Sequence, residues 1–222
     1  MTPMKRHFDD ELADLKQRIL RMGALVEAHI RQALSALVDR DDLVANQVIQ
    51  NDRQVNTMDV EIDEICLELL ALHQPAARDL RFVTMAMKIT TELERMSDLA
   101  ENICECAIEL HAEPQLKPYI DIPLMAERAI KMVGEALNAF VREDSVLARQ
   151  VLNEDDYVDD LNEQIFRDLL SFMMENPHTI SGAIRLLFVS KAIERIADHA
   201  TNVAELVVYM VEGKIIRHMI SP

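Results

Sequence analysis

The chain has 222 residues, half of them apolar, and a formal net charge of −16. That length allows one large domain or two small ones with a buried core, and the charge opposes nucleic acid and anionic lipid over most of the surface. With only four Gly, seven Pro, no Trp and thirteen Met, the composition reads as all-α and leaves little material for a Gly-rich phosphate loop.

Six long helices are expected in chain order. The first runs from about Asp9 to Asp39, the second from Asp42 to Leu72 and the third from Arg78 to His111. Pro114 and Pro118 then break the chain. Three more follow, at about Leu124 to Arg142, Ser145 to Met174 and Thr179 to Glu212, with Gly213 placed to cap the last. The third helix carries Ile89, Leu93, Met96, Ala100, Ile103, Ala107 and Leu110, stepping by four and three alternately. The sixth repeats this with Val189, Ile193, Ile196, Ala200, Val203, Val207 and Met210. Such seams belong to helical bundles. No apolar run is long enough to cross a bilayer, and no signal peptide is expected.

The two halves are copies. Ala33-Leu34-Ser35-Ala36-Leu37-Val38 aligns with Ala136-Leu137-Asn138-Ala139-Phe140-Val141. At that offset Asp41 matches Asp144, Asp52 matches Asp155 and Ile62 matches Ile165. The offset shortens by three in the loops around Pro75 and Pro177. Beyond it, Glu94-Arg95-Met96-Ser97-Asp98-Leu99-Ala100-Glu101-Asn102 matches Glu194-Arg195-Ile196-Ala197-Asp198-His199-Ala200-Thr201-Asn202, and Glu105 matches Glu205. The expected architecture is two tandem three-helix bundles, residues 1–115 and 116–222.

A core has no use for repeated carboxylates. At about 100° per residue, Glu94, Asp98, Glu101 and Glu105 fall within about 60° of one another and about 160° from the seam. They are expected to form a stripe turned away from their own bundle, with Glu194, Asp198 and Glu205 doing the same on the sixth helix. A solvated acidic face accounts for such a stripe. So does a hard-cation site, because carboxylates four residues apart on a helix lie about 6 Å from each other and repel unless something bridges them. Oxygen ligands suit Mg²⁺, Mn²⁺, Ca²⁺ or iron. One helix supplies too few ligands, so another helix, a partner subunit or water must complete each site. Arg95 and Arg195 read as surface cations limiting repulsion along the stripe. His199 reads as a packing or hydrogen-bonding residue, and Asp52 and Asp155 as interface acids paired with a basic residue. Cys66, Cys104 and Cys106 form no disulfide or zinc framework and fit buried free thiols. No catalytic motif emerges: the only Glu-x-x-His, Glu175 to His178, contains a proline and falls in a loop.

The doubled Glu-Arg-x-x-Asp-x-Ala-x-Asn motif resembles the PhoU family. The resemblance extends from about Glu11 to Gly213 and includes Glu11-Leu12, Met22-Gly23, Gln74-Pro75 and Asp79-Leu80-Arg81. It implies a non-enzymatic cytoplasmic regulator of phosphate homeostasis. Such a protein modulates the phosphate ABC transporter and represses the phosphate-starvation response, through the transporter's ATPase subunit and a sensor histidine kinase. It further implies a homodimer, no nucleic acid and no membrane insertion. Metal ions (iron, Mn, Mg or Zn) are implied on Glu94, Asp98, Glu101, Asn102, Glu194, Asp198 and Asn202. Ser97 and Ala197 replace a frequent Gly without disturbing the ligands, and Leu99 replaces a frequent His in the first copy; Thr201 removes an acid, so the second site is expected to bind metal more weakly. The alternatives are a metal-dependent phosphohydrolase, a metal-storage bundle, or a bare scaffold whose acids only solubilise it.

Overall fold

The computed structural model describes residues 3–216. Residues 1, 2 and 217–222, at the outer ends of the two expected domains, lie outside the described residues. The described residues form seven α-helices: α1 (Pro3–Asp39), α2 (Asp42–His73), α3 (Ala77–His111), α4 (Asp121–Arg142), α5 (Ser145–Leu152), α6 (Asp155–Glu175) and α7 (Ile180–Glu212), with a 3₁₀ turn at Pro177–Thr179. Among the described residues there is no strand. Helices α1–α3 make one bundle, and α4, α5–α6 and α7 make the other.

The fifth expected helix is two helices. Asn153 and Glu154 interrupt it, with their amides reaching back three residues to Gln150 and Val151. The Glu154 carboxylate lies 3.8 Å from Arg128 and 3.7 Å from Lys131 on α4. The tightened turn leaves Asp155 as the first residue of α6.

The loops are duplicated in detail. Asp41 caps α2 by accepting from the amides of Leu43 and Val44, and Asp144 caps α5 by accepting from Val146 and Leu147. Each cap substitutes for backbone carbonyls that the first turn lacks. Before each cap stands a left-handed residue, Arg40 (φ 57°) and Glu143 (φ 53°). Neither is Gly, and both side chains are anchored. Arg40 donates to the carbonyls of Leu110, His111 and Glu113 at the end of α3. Glu143 holds Lys16 of α1 at 3.2 Å and also pairs with Arg78 of α3. These contacts offset the roughly 1–2 kcal/mol that a left-handed non-Gly residue costs.

The expected seams are buried. Ile89, Leu93, Met96 and Ala100 are fully enclosed, as are Val189, Ile196, Ala200 and Val207. The bundles are not separate bodies, however. α3 packs on α7 as well as on α1 and α2, α1 packs on α4, and one continuous apolar cluster runs through both halves.

That packing corrects the expected direction of the acidic stripe. The face of α3 turned away from its own bundle is not free, because α7 covers it through a second buried row, Met85, Glu92 and Leu99. A third row, Thr90, Ser97 and Cys104, is buried toward α1 and α2. The buried arc of α3 is therefore about twice the width of one seam. Glu94, Asp98 and Glu101 border that arc on the α2 side instead of lying opposite it.

A carboxylate groove in each half

In the first half, Asp52 of α2 meets Asp98 and Glu101 of α3, with one carboxylate oxygen from each lying within 4.8 Å of the others. Asp52 is 5% exposed and has no Lys or Arg as a salt-bridge partner among the described residues, contrary to the expected basic pairing. Instead Ser97 Oγ donates to Asp52 Oδ1 at 2.6 Å, and Asn56 Nδ2 donates to Oδ2 at 2.9 Å. His29 Nδ1 of α1 lies 3.0 Å from Ser97 Oγ. Since the hydroxyl proton is spent on Asp52, the imidazole must be the donor in that contact. The row His29–Ser97–Asp52 thus crosses the first bundle from α1 through α3 to α2, and its three residues are buried.

The order of this row matters chemically. A nucleophilic serine donates to histidine, which is in turn held by a carboxylate. Here serine donates to the carboxylate and is 1% exposed. The row orients Asp52 and does not activate Ser97.

Burial first, and mutual repulsion second, raise the groove's carboxyls. Burial raises the pKa of Glu94, and the charges of Asp98, Asp59 and Asp52 raise it further. Burial and Asp52 act the same way on Asp98. Glu101 is raised by burial, Asp52, Glu105 and Asp98. Asp59 is raised by burial and by Asp63, although Thr90 opposes the shift. Asp59 Oδ1 and Asp63 Oδ1 are buried without a hydrogen-bond partner.

The second half repeats the groove between α6 and α7. Asp155 is pushed from 3.8 to about 6 by burial and by Asp198, Asp159, Asp156 and Glu194. Asp198 is raised by burial and Glu194, with Lys191 opposing. Burial and Glu194 raise Asp159. Glu194 Oε2 is a buried orphan, while its Oε1 lies 2.5 Å from Lys191 Nζ. Two features of the first half are missing here. Ala197 stands where Ser97 holds Asp52, and Thr201, where Glu101 would be, turns its hydroxyl back to the carbonyl of Asp198.

The structure therefore brings Glu94, Asp98 and Glu101 together in one groove and Glu194 and Asp198 in the other. It does not bring the two asparagines in. Asn102 lines a separate cleft between α3 and α7 with Leu99, Cys106 and Arg195. Asn202 Nδ2 donates to Glu92 across the same interface at 3.1 Å. Arg95 reaches Glu92, at 3.9 Å, rather than Asp98. Asp59, Asp63 and Asp159 were not among the expected site residues. The pairs Asp59/Asp63 and Asp155/Asp159 have the same four-residue spacing on the second helix of each copy that Glu94/Asp98 has on the third, and that spacing could have found them.

His199 is a hydrogen-bonding residue, as its boundary position suggested. It is 8% exposed, and its Nδ1 lies 2.7 Å from Glu92 Oε2 of α3. Burial would raise the Glu92 pKa, but the bonds from His199 and Asn202 and the His199 charge outweigh it and hold the carboxylate low. Exchanging the halves turns this pair into Leu99 and Ala192, which line one cleft together. The duplicated positions thus carry a polar pair on one side of the α3–α7 joint and an apolar pair on the other.

A model of the PhoU domain matches residues 19–107 and again 122–207. The chain belongs to the PhoU family. It is 40% identical over 217 residues, 97% of its own length and 90% of the relative's, to the phosphate-specific transport system accessory protein PhoU homolog of Pseudomonas aeruginosa. It is 42% identical to the homolog of Aquifex aeolicus, over 94% of each chain. With PhoU of Escherichia coli it shares 36% identity, over 96% of this chain and 88% of the other. The crystal structure of PhoU from P. aeruginosa superposes with a TM-score of 0.90 over 93% of this chain and 100% of that one, at 40% identity. The phosphate transport system regulatory protein PhoU from Streptococcus pneumoniae superposes with a TM-score of 0.88 at 30% identity, over 94% and 98%.

A metal is implied for PhoU faces of this type, and the residues fit one. All the groove donors are carboxylate oxygens, which suits hard cations. Burial and neighbouring acids favour their protonation, and three buried oxygens lack partners.

Proposed function

We propose that this protein is a non-enzymatic regulator of phosphate uptake. It acts on the phosphate ABC transporter and keeps the phosphate-starvation response off when phosphate is plentiful. The observation that carries this reading is the whole-chain match, with both copies of the motif in place, to relatives named as accessory and regulatory proteins of phosphate transport. On this reading it works in the cytoplasm as a homodimer, with the transporter's ATPase subunit and the response's sensor kinase as partners. No described helix is long and apolar enough to cross a membrane, which agrees with a protein that docks on a membrane complex from outside the bilayer.

Metal ions belong to the same proposal. Asp52, Glu94, Asp98 and Glu101, with Asp59 nearby, would hold cations in the first groove. Asp155, Asp159, Glu194 and Asp198 would hold them in the second. A bound cation would offset the excess of negative charge in each groove and tie the second helix of each bundle to the third. Preorganisation of Asp52 through Ser97, the extra acid Glu101, and Lys191 in the opposite half all favour the first groove as the tighter site.

Deleting the gene and assaying alkaline phosphatase in high phosphate tests the regulatory role. Derepression is expected, and unchanged repression would count against it. Elemental analysis after metal exposure tests the grooves. Metal content unaffected by Glu94→Gln with Glu194→Gln would reduce the acids to solubilising groups.

A further inference from the structure

Both oxygens of Asp52 are engaged from within the first bundle. Oδ1 accepts from Ser97 Oγ of α3 at 2.6 Å, and Oδ2 accepts from Asn56 Nδ2, one turn along α2, at 2.9 Å. Ser97 is itself fixed by His29 Nδ1 at 3.0 Å, and His29 Nε2 is buried with no hydrogen-bond partner, so no second contact turns the ring. The carboxylate plane is thus held from two helices. Each of its oxygens keeps a second lone pair for a cation, and one of them stands within 4.8 Å of oxygens of Asp98 and Glu101.

The duplication supplies an internal control, because the sister half lacks every part of this clamp. The positions matching His29, Ser97 and Asn56 hold Met132, Ala197 and Asp159. Met132 and Ala197 are buried, and their side chains have no hydrogen to offer a carboxylate. Asp159 repels Asp155 where Asn56 would donate to it. The acids Asp155, Glu194 and Asp198 are kept all the same. A bundle does not need the clamp to fold, because its sister buries Met and Ala there and avoids the desolvation of two polar groups. What the clamp changes is the freedom of one groove acid.

We propose that His29, Ser97 and Asn56 set the cation selectivity of the first groove: by immobilising Asp52 they favour an octahedral cation such as Mn²⁺ over Ca²⁺, a preference the second groove lacks. The inference rests on the metal reading given above and adds selectivity to it. Ca²⁺ takes about six to eight oxygens in flexible arrangements, so it profits from a carboxylate that can swing between one-oxygen and two-oxygen contact. A cation that demands a regular octahedron profits instead from oxygens already held in place. Ligand flexibility therefore discriminates between the two ions, and flexibility is what separates Asp155 from Asp52. His29, Ser97 and Asn56 are positioning residues, acting on the ion through Asp52 alone.

Calorimetric titration of the full-length protein with Mn²⁺ and, separately, with Ca²⁺ is the test. Glu194→Gln with Asp198→Asn isolates the first groove, and Glu94→Gln with Asp98→Asn isolates the second. The ratio of Mn²⁺ to Ca²⁺ affinity should be roughly tenfold higher in the first groove. His29→Met with Ser97→Ala, the residues of the sister half, should bring that ratio down to the level of the second groove. The change should come from a loss of Mn²⁺ affinity of about tenfold or more, with Ca²⁺ affinity altered far less. Should that buried pair disturb the fold by circular dichroism, Asn56→Ala, at an exposed position, frees Oδ2 alone and should lower the ratio part of the way. Equal ratios in the two grooves, or variants that weaken both ions alike, overturn the proposal and spare the metal reading. A parent that binds neither ion overturns both.

Discussion

Replacing Asp155 by Asn is expected to stabilise the cation-free protein at neutral pH. The Asp155 carboxyl is raised from 3.8 to about 6 by burial and by four neighbouring acids. A shift of about two units corresponds to about 3 kcal/mol at about 1.4 kcal/mol per unit. The group is only partly buried, so solvent and salt reduce the realisable part to roughly 1–2 kcal/mol. A carboxyl whose folded pKa lies above its unfolded value destabilises the native state wherever it must be ionised. The penalty is complete above about pH 6, shrinks as pH falls through that value, and vanishes below about pH 4. Thermal melts in chelator should therefore show the Asn variant ahead by roughly 2–8 °C at about pH 7.5, given about 2–4 °C per kcal/mol for a chain of this size. The two curves should converge toward about pH 4. Glu92 and Glu143, whose pKa values are lowered, pull the parent's pH dependence the other way, and they cancel in the difference between variant and parent. A gap that is absent at neutral pH, or constant across the range, would refute the repulsion argument.

Three further outcomes follow from the geometry. Ser97→Ala leaves the His29 donor and a Asp52 oxygen buried without partners, so urea titration should show a loss of about 1–3 kcal/mol. His199→Leu leaves the Glu92 carboxylate at the α3–α7 joint with only Asn202 and the more distant Arg95 and should cost about 1–3 kcal/mol; adding Glu92→Ala, which gives the Leu99–Ala192 pairing of the other side, should recover most of that, and additive costs in a double-mutant cycle would contradict the coupling. Glu94→Gln with Asp98→Asn should remove the tighter class of divalent-cation sites in a calorimetric titration and leave the second-half class, whereas loss of both classes would mean that the grooves do not act separately.

The helices and seams were legible because a bundle core imposes a strong periodicity. Leu93, Met96 and Ala100 could hardly face anywhere but inward. The joint between the bundles was not legible, because its row on α3 is Met85, Glu92 and Leu99, and a glutamate breaks the apolar signal. Glu92 can sit there because His199 and Asn202, more than 100 residues away in sequence, face it. The same separation concealed the role of Asp52. On its own helix it looks like an interface acid, and only the fold brings Asp98 and Glu101 to it. The interruption at Asn153–Glu154 contains neither Pro nor Gly. What accompanies it is a pair of cations on α4 that reach Glu154, 23 or more residues back in sequence.

The unequal joint between α3 and α7 shows what a duplicated chain can do that two identical subunits cannot. A symmetric pair must present every contact twice, so a buried His–Glu couple on one side of its axis would require another on the other side. Covalent fusion lifts that constraint. One side keeps His199 on Glu92 as a directional key, while the other sets the uncharged Leu99 and Ala192 along a cleft. The key favours one relative orientation of the bundles, and each groove is free to acquire its own cation preference while sharing a single scaffold.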